Sequence, residues 1–182
     1  MIGSKLFQGP LPKLSLVIGG ARSGKSHLAE SLVTMSARPR VYIATAQAWD
    51  DEMRSKITTH QQDRGADWRT VEAPLDVATE LAKVPAGQVV LLDCATLWLS
   101  NHLLAGHDLV AQSALLRQAL AVCASPVVVV SNEVGWSIVP ENKLARLFQK
   151  AQGRLNQDLA QEADLVLAVI AGLPIVLKSG QP

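Results

Sequence analysis

The sequence predicts an α/β domain: a mostly parallel sheet with helices on both faces. Three observations lead there. Strand-like and helix-like stretches alternate along the chain. Several of the strands are apolar at every position, the pattern of strands covered on both sides. The first strand runs straight into Gly19-Gly20-Ala21-Arg22-Ser23-Gly24-Lys25-Ser26, a glycine-rich turn that opens a helix. The chain has 182 residues, of which 48% are hydrophobic and 18% charged, enough apolar surface for one substantial core and too little charge for disorder.

Taken in order, Met1 to Lys13 reads as a loose lead-in, with Pro10 and Pro12 breaking it, and 14–182 as one domain. No long apolar run stands at the start or elsewhere, so the expectation is a soluble, cytoplasmic protein with no membrane span. Leu14 to Ile18 is a buried strand, and His27 to Met35 a helix. Arg38-Pro39-Arg40 turns into a second, β-branched strand, Val41 to Thr45. Asp50 to Gln62 has helical spacing, with Asp50, Asp51 and Glu52 in its first turn where they suit the dipole. Trp68 to Glu72 is a short extended piece, and Leu75 to Ala82 an amphipathic helix.

Val89 to Leu92 is a central apolar strand ending in Asp93. Thr96 to Leu104 and Leu109 to Ala124 are helical. Pro126 to Val130 is a further apolar strand that runs into a polar loop, Ser131-Asn132-Glu133-Val134-Gly135. Pro140 is expected to open a helix in which Leu144, Leu147, Ala151, Leu155 and Leu159 keep helical spacing. Asp164 to Ala171 and Pro174 to Lys178 read as the last two strands. There are no repeats and no linker.

The formal charge of +1 gives no ground for bulk nucleic-acid binding, but a local positive cluster suffices for a small polyanion. Residues 19–26 supply one. They fit G-x-x-x-x-G-K-[ST], in which glycines bring backbone N–H groups against phosphate oxygens, the lysine (Lys25) reaches the β- and γ-phosphates, and the hydroxyl (Ser26) ligates Mg²⁺. The helix that follows turns its N-terminus to the anion. Alone, the pattern is also met by a plain glycine turn; between a buried strand and a helix it is a phosphate site.

Asp93 reads in two ways: as the acid that holds Mg²⁺ opposite the phosphate loop, or as a cap on the next helix. Glu133 ends another apolar strand in the same manner and competes for the metal role. His60 is either a structural histidine or a nucleophile toward phosphorus, with Asp63, Arg64, Arg69 and Trp68 close in sequence. Cys94 and Cys123 have no metal-like spacing and read as small reduced core residues.

Several stretches together resemble one family. They are the phosphate loop, Tyr42-Ile43-Ala44-Thr45, Asp51-Glu52-Met53, His60 ahead of Asp67-Trp68-Arg69-Thr70-Val71-Glu72, and Leu91-Leu92-Asp93-Cys94. Asn132-Glu133-Val134-Gly135, Ile138-Val139-Pro140-Glu141-Asn142 and Gly153-Arg154-Leu155-Asn156-Gln157 complete the set. In this order, over Leu14 to Lys178, they are similar to the bifunctional adenosylcobinamide kinase / adenosylcobinamide-phosphate guanylyltransferase family of cobalamin biosynthesis.

The resemblance implies a phosphate-loop NTPase fold like the recombinase core, a homotrimer, a corrinoid substrate, and GTP, ATP and Mg²⁺ as the cofactors. It implies phosphorylation of the corrinoid's aminopropanol hydroxyl by ATP or GTP, and then guanylylation of a histidine, here His60, that passes GMP on to give adenosylcobinamide-GDP. The catalytic residues carried over are His60 and Lys25. The guanine-nucleotide contacts fall on Gly19, Gly20, Ala21, Arg22, Ser23, Gly24, Lys25, Ser26, Ile43, Ala44, Thr45, Gln61, Gln62, Asp63, Arg64, Glu72 and Asp93, with Ser26 and Asp93 on the metal. Some members carry Glu where this chain has Asp93, and a second His at Thr59. Two rival classes stand beside this one: a single-activity phosphate-loop kinase with His60 structural, and a nucleotide-binding regulatory protein without transfer chemistry.

Overall fold

The computed structural model describes residues 10–47, 67–136 and 138–180. The strands are β1 (Leu14–Gly19), β2 (Arg40–Ala44), β3 (Trp68–Glu72), β4 (Val89–Asp93), β5 (Val127–Asn132), β6 (Leu165–Ile170) and β7 (Leu173–Ser179). The described helices are α1 (Lys25–Met35), α2 (Val77–Ala82), α3 (Ala95–Leu104), α4 (Leu109–Val122) and α5 (Lys143–Glu162). The helix expected over 50–62 lies outside the described residues.

One seven-stranded sheet runs in the order β3-β2-β4-β5-β1-β6-β7. All pairings are parallel except β6 with β7, a hairpin turned through Ala171 and Gly172 at φ 52° and 79°. Trp68 to Glu72, an extended piece by its sequence, is a full parallel strand at the far edge.

Alternate side chains sort the sheet into two faces. Val17, Tyr42, Ala44, Leu91, Val128 and Val130 pack with Leu28, Ala29, Leu32 and Val33 of α1. Leu16, Ile43, Leu92 and Val129 pack with Val77, Leu81, Trp98, Leu99, Leu116, Leu120, Leu155 and Leu159, so α2 to α5 cover the other face. Val127 to Val130 have no exposure at all, which is why their sequence shows no alternation.

Two expectations need correction. Pro140 does not open a helix. The N-cap is Asn142, whose Oδ1 accepts from Leu144 N at 2.7 Å and Ala145 N at 3.4 Å, and an asparagine oxygen satisfies end N–H groups that a proline cannot. The polar loop after Val130 also starts later: Ser131 and Asn132 still belong to β5, paired with Ile18 and Gly19.

Leu144 and Leu147 are helical as expected, yet about half exposed. The reason is length. The 20 residues of α5 span about 30 Å, the 6 of β6 about 20 Å, so the first turns of α5 overhang the carboxyl edge of the sheet.

Candidate active site

The phosphate loop is held open by two glycines for different reasons. Gly24 caps α1 at φ 94°, a left-handed conformation that favours glycine. A Cβ on Gly19 would stand 2.5 Å from Val169 O and 2.6 Å from Ser23 Oγ, so β1 leaves the sheet by a path too close to β6 for any side chain. No side chain caps the first turn of α1, which leaves its N–H groups for an anion. Lys25 is buried in that turn, its Nζ donating to Gly20 O at 3.1 Å across the loop. Ser23 Oγ is buried with no partner among the described residues.

Register brings the rest of the site to the same place. Gly19 follows Val17, Asp93 follows Leu91 and Asn132 follows Val130, each by two residues, so all three lie on the α1 face. Each ends its strand, and β4, β5 and β1 are neighbours. Ala44 pairs with Asp93 on one side and Glu72 on the other, which sets Glu72 on the same face, two strand spacings or about 10 Å from Asp93.

Asp93 accepts from Tyr42 Oη at 3.2 Å, and Tyr42 stands edge-on to Trp68, over which Arg40 lies at 5.8 Å. The capping alternative for Asp93 is not what the chain adopts: the N-cap of α3 is Cys94, whose Sγ accepts from Leu97 N at 3.4 Å. Glu133 has its Oε1 on Gly135 N at 3.0 Å, closing its own loop.

The opposite face of the same edge carries a largely closed polar network that sequence reading did not single out, in which Gln152 Oε1 is the one buried atom without a partner among the described residues. Ser131 Oγ donates to Asn156 Oδ1 at 2.6 Å; Gln152 Nε2 donates to Ser131 Oγ and to Asn156 Oδ1, each at 2.9 Å. Asn156 Nδ2 donates to Asn132 O at 3.0 Å, and Asn132 N donates to Thr96 Oγ1 at 2.7 Å. The end of β5 is therefore clamped through both backbone groups by α3 and α5. A signal was present: Gln152 and Asn156 sit i and i+4 apart, flanking Leu155 on the apolar stripe of α5, where polar residues need a partner.

Other expected site residues divide plainly. Ile43 is fully buried in the core on the α2–α5 face. Thr45 is also fully buried: its Oγ1 donates to Cys94 O at 2.7 Å and accepts from Cys94 N at 2.8 Å, while its O accepts from Asn101 Nδ2 at 2.8 Å, fixing the start of α3 beside Asp93. Ala44 and Glu72 stand at the edge as described, and Ala21 and Arg22 at the exposed tip of the loop. His60, Gln61, Gln62, Asp63 and Arg64 lie outside the described residues.

Burial, and then the charge of Asp93, push the Cys94 thiol up to about 11, with Lys25 acting the other way; the thiol is therefore no nucleophile at neutral pH. The described residues hold no cluster of three metal-ligating His, Cys, Asp or Glu side chains. A phosphate-bound Mg²⁺ does not need one, because a carboxylate and a hydroxyl complete a shell made mostly of phosphate and water oxygens, donors of the kind that Asp93 and Ser26 carry. A cleft of about 180 Å³, lined by Pro10, Leu11, Leu32, Val89 and Pro126, lies at the amino ends of the strands, away from this chemistry. No helix among the described residues is long and apolar enough to cross a membrane.

Comparison with known proteins agrees over most of the chain. The family model for cobinamide kinase / cobinamide phosphate guanyltransferase matches residues 15–177. The chain is 43% identical over 170 residues to the bifunctional adenosylcobalamin biosynthesis protein CobP of Pseudomonas aeruginosa, covering 92% of this chain and 98% of the relative. It is 42% identical over 180 residues to the bifunctional adenosylcobalamin biosynthesis protein CobU of Escherichia coli, covering 90% and 98%. In fold it is similar to the flagellar accessory protein FlaH of Methanocaldococcus jannaschii (TM-score 0.53, 13% identity, 94% of this chain and 80% of that one). It is also similar to a solved ATPase domain (TM-score 0.54, 12% identity, 92% and 77%).

Proposed function

The chain belongs to the cobinamide kinase / cobinamide phosphate guanyltransferase family and is a bifunctional enzyme of adenosylcobalamin biosynthesis, and we propose how its residues divide the two reactions. In the kinase step the phosphate loop, residues 19–26, holds the nucleotide. Lys25 neutralises charge on the β- and γ-phosphates, and the free N–H groups of α1 bind phosphate oxygens. The aminopropanol oxygen of the corrinoid bonds to the γ-phosphorus, the bond to the bridging oxygen breaks, and the nucleoside diphosphate leaves. Ser26 and Asp93 would hold Mg²⁺, which would neutralise more of the phosphate charge.

In the guanylyl step His60 is the nucleophile. Its neutral ring nitrogen bonds to the α-phosphorus of GTP and pyrophosphate leaves. A phosphate oxygen of the phosphorylated corrinoid then displaces the imidazole, breaking the P–N bond and forming a P–O–P link. Gln61, Gln62, Asp63, Arg64 and Glu72 contact the guanine nucleotide in this reading; of the Ile43–Thr45 stretch, Ile43 and Thr45 are fully buried and support the site from within rather than touching the nucleotide.

The corrinoid is large, with methyl groups as well as amide side chains around its rim. Trp136, Ile138, Val139, Leu144 and Leu147, exposed on the overhang beside the phosphate loop, offer it a wall. Leu173 and Ile175 share one face of edge strand β7 and Leu177 sits at its bulge, all exposed, a surface suited to the trimer contact implied by the resemblance.

The observation that carries the nucleotide half is the Lys25 turn and Asp93 meeting on one sheet face. The test is incubation with GTP and Mg²⁺ followed by intact-mass measurement. One acid-labile GMP adduct is expected, little or none with ATP. His60→Ala should lose the adduct and guanylyl transfer while keeping kinase turnover. An adduct that persists in His60→Ala, or that maps to Lys56, removes His60 from the mechanism.

A further inference from the structure

We propose that His102 and His107 form an acid-sensitive latch, which ties the turn before α4 to the connection between β3 and α2 and opens when both rings are protonated. The two side chains meet Nδ1 to Nδ1 at 2.8 Å, with ring centroids 5.0 Å apart. His102 is 3% exposed near the end of α3, and His107 is exposed in the turn that follows. The other ring nitrogen of His102, Nε2, stands 3.3 Å from Leu75 O, and the ring lies edge-on to Trp98 at 4.6 Å. Trp98 Nε1 donates to the same carbonyl at 3.0 Å.

The partners fix where the protons sit. A carbonyl oxygen only accepts, so His102 carries its proton on Nε2 and offers Nδ1 as an acceptor. Two acceptors do not face each other at 2.8 Å, so His107 carries a proton on Nδ1 and donates it to His102. One added proton is tolerated. On Nε2 of the exposed His107 it leaves every bond in place and makes the shared one charge-assisted. A second has only Nδ1 of His102 to go to. Two N–H groups then point at each other on two cationic rings, and the pair separates.

Burial, the largest influence on His102, holds its ring below the usual pKa; the bond to Leu75 O works against this, His107 with it, and Asp76 against it. No other residue of α3 is charged, and Asp108, next along the turn, is engaged in capping α4 through Oδ1. The contribution of neutral His102 to stability is therefore whole above its unfolded value of 6.5 and is lost as pH falls through the lower folded value. Leu75 lies three residues beyond Glu72, the end of β3. Asn101 Nδ2 also holds Pro74 O, at 2.9 Å, so an open latch loosens this connection without releasing it.

The experiment is an imidazole ¹⁵N NMR titration of the full chain from about pH 8 to about pH 5, with amide hydrogen exchange on the same samples. At the upper end His107 should be the Nδ1–H tautomer and His102 the Nε2–H tautomer. His107→Ala removes an exposed ring, so the fold should survive. His102 should then bind its proton about 3- to 10-fold more tightly, because Nδ1 meets water instead of a second N–H. In wild type the His107 amide, which donates to His102 O at 3.0 Å, should lose about 3- to 10-fold of its protection when His102 is protonated. His107→Gln presents either an NH₂ or an oxygen to Nδ1, so the turn should keep its protection in acid. His107 found as the Nε2–H tautomer, His102 titrating at the same pH in wild type and His107→Ala, or an equal acid-induced loss of protection in His107→Gln would each overturn the proposal.

Discussion

The two faces of the sheet meet the same carboxyl edge and treat polar residues oppositely. On the α2–α5 side, Thr96, Ser131, Gln152 and Asn156 bond one another and the backbone of β5, and only Gln152 Oε1 among their side-chain atoms is left without a partner among the described residues. On the α1 side, the first-turn N–H groups of α1 have no side-chain cap, and Ser23 Oγ and Asn132 Oδ1 have no partner among the described residues. Both sets are largely withdrawn from water. The difference lies in where the hydrogen bonds end. A set bonded mostly within itself stabilises the fold and fixes geometry; a set bonded to little else in the chain leaves valences for a ligand and contributes little to the fold without one. Mutations on the open face should therefore cost activity, and those on the closed face stability.

The largest expected effect breaks the open face. Lys25→Ala removes an ammonium that bonds Gly20 O within its own loop, so the fold should survive. Nucleotide-dependent turnover in both reactions should fall by a factor on the order of 10² to 10³. A folded Lys25→Ala enzyme with wild-type rates would erase the distinction between the faces.

Next comes the closed face. Asn156→Ala strips a partner from Ser131 Oγ, Gln152 Nε2 and Asn132 O together. A loss of about 2–3 kcal/mol is expected, or a fall in Tm of roughly 4–12 °C for a chain of this size. Nucleotide affinity of the folded fraction below Tm should change far less than in Lys25→Ala. Thermal melts and titrations on one sample separate the two, and an affinity loss without a Tm shift would invert the argument.

The smallest effect sharpens the boundary between them, at Cys94. Its thiol is buried at the end of the acid strand, with a pKa raised from 9.0 to about 11. Because the folded value lies above the unfolded one, this group's stabilising contribution is whole below pH 9 and is lost as pH rises toward 11. The same rise lowers the thiolate fraction at pH 8 about 100-fold, so alkylation there should lag a free thiol by that factor. Cys94→Ala should flatten the dependence of stability on pH above 9; rapid alkylation of the native protein at pH 8 would show that the thiol is neither buried nor shifted.

What the sequence determined by itself is whatever local pattern and spacing can carry. The alternation of strands and helices, the loop at residues 19–26, and an acid at the end of an apolar strand are all written within short windows. So is the family resemblance, which rests on motifs a few residues long. Pro140 gave a helix-start signal two residues before Asn142, a residue of capping type, and only the hydrogen bonds made by Asn142 decide where the helix begins.

Tertiary structure decided which strand ends are neighbours. The order β3-β2-β4-β5-β1-β6-β7 inserts β5 between β4 and β1, although β5 follows both in the chain. That order is set by how the crossover helices pack, through contacts between residues far apart in sequence, and no periodicity encodes it. Ser131 and Asn132 look alike as consecutive polar residues after a valine run. The sheet gives one to the closed network and the other to the phosphate side, because consecutive side chains on a strand point to opposite faces and only packing says which face holds α1.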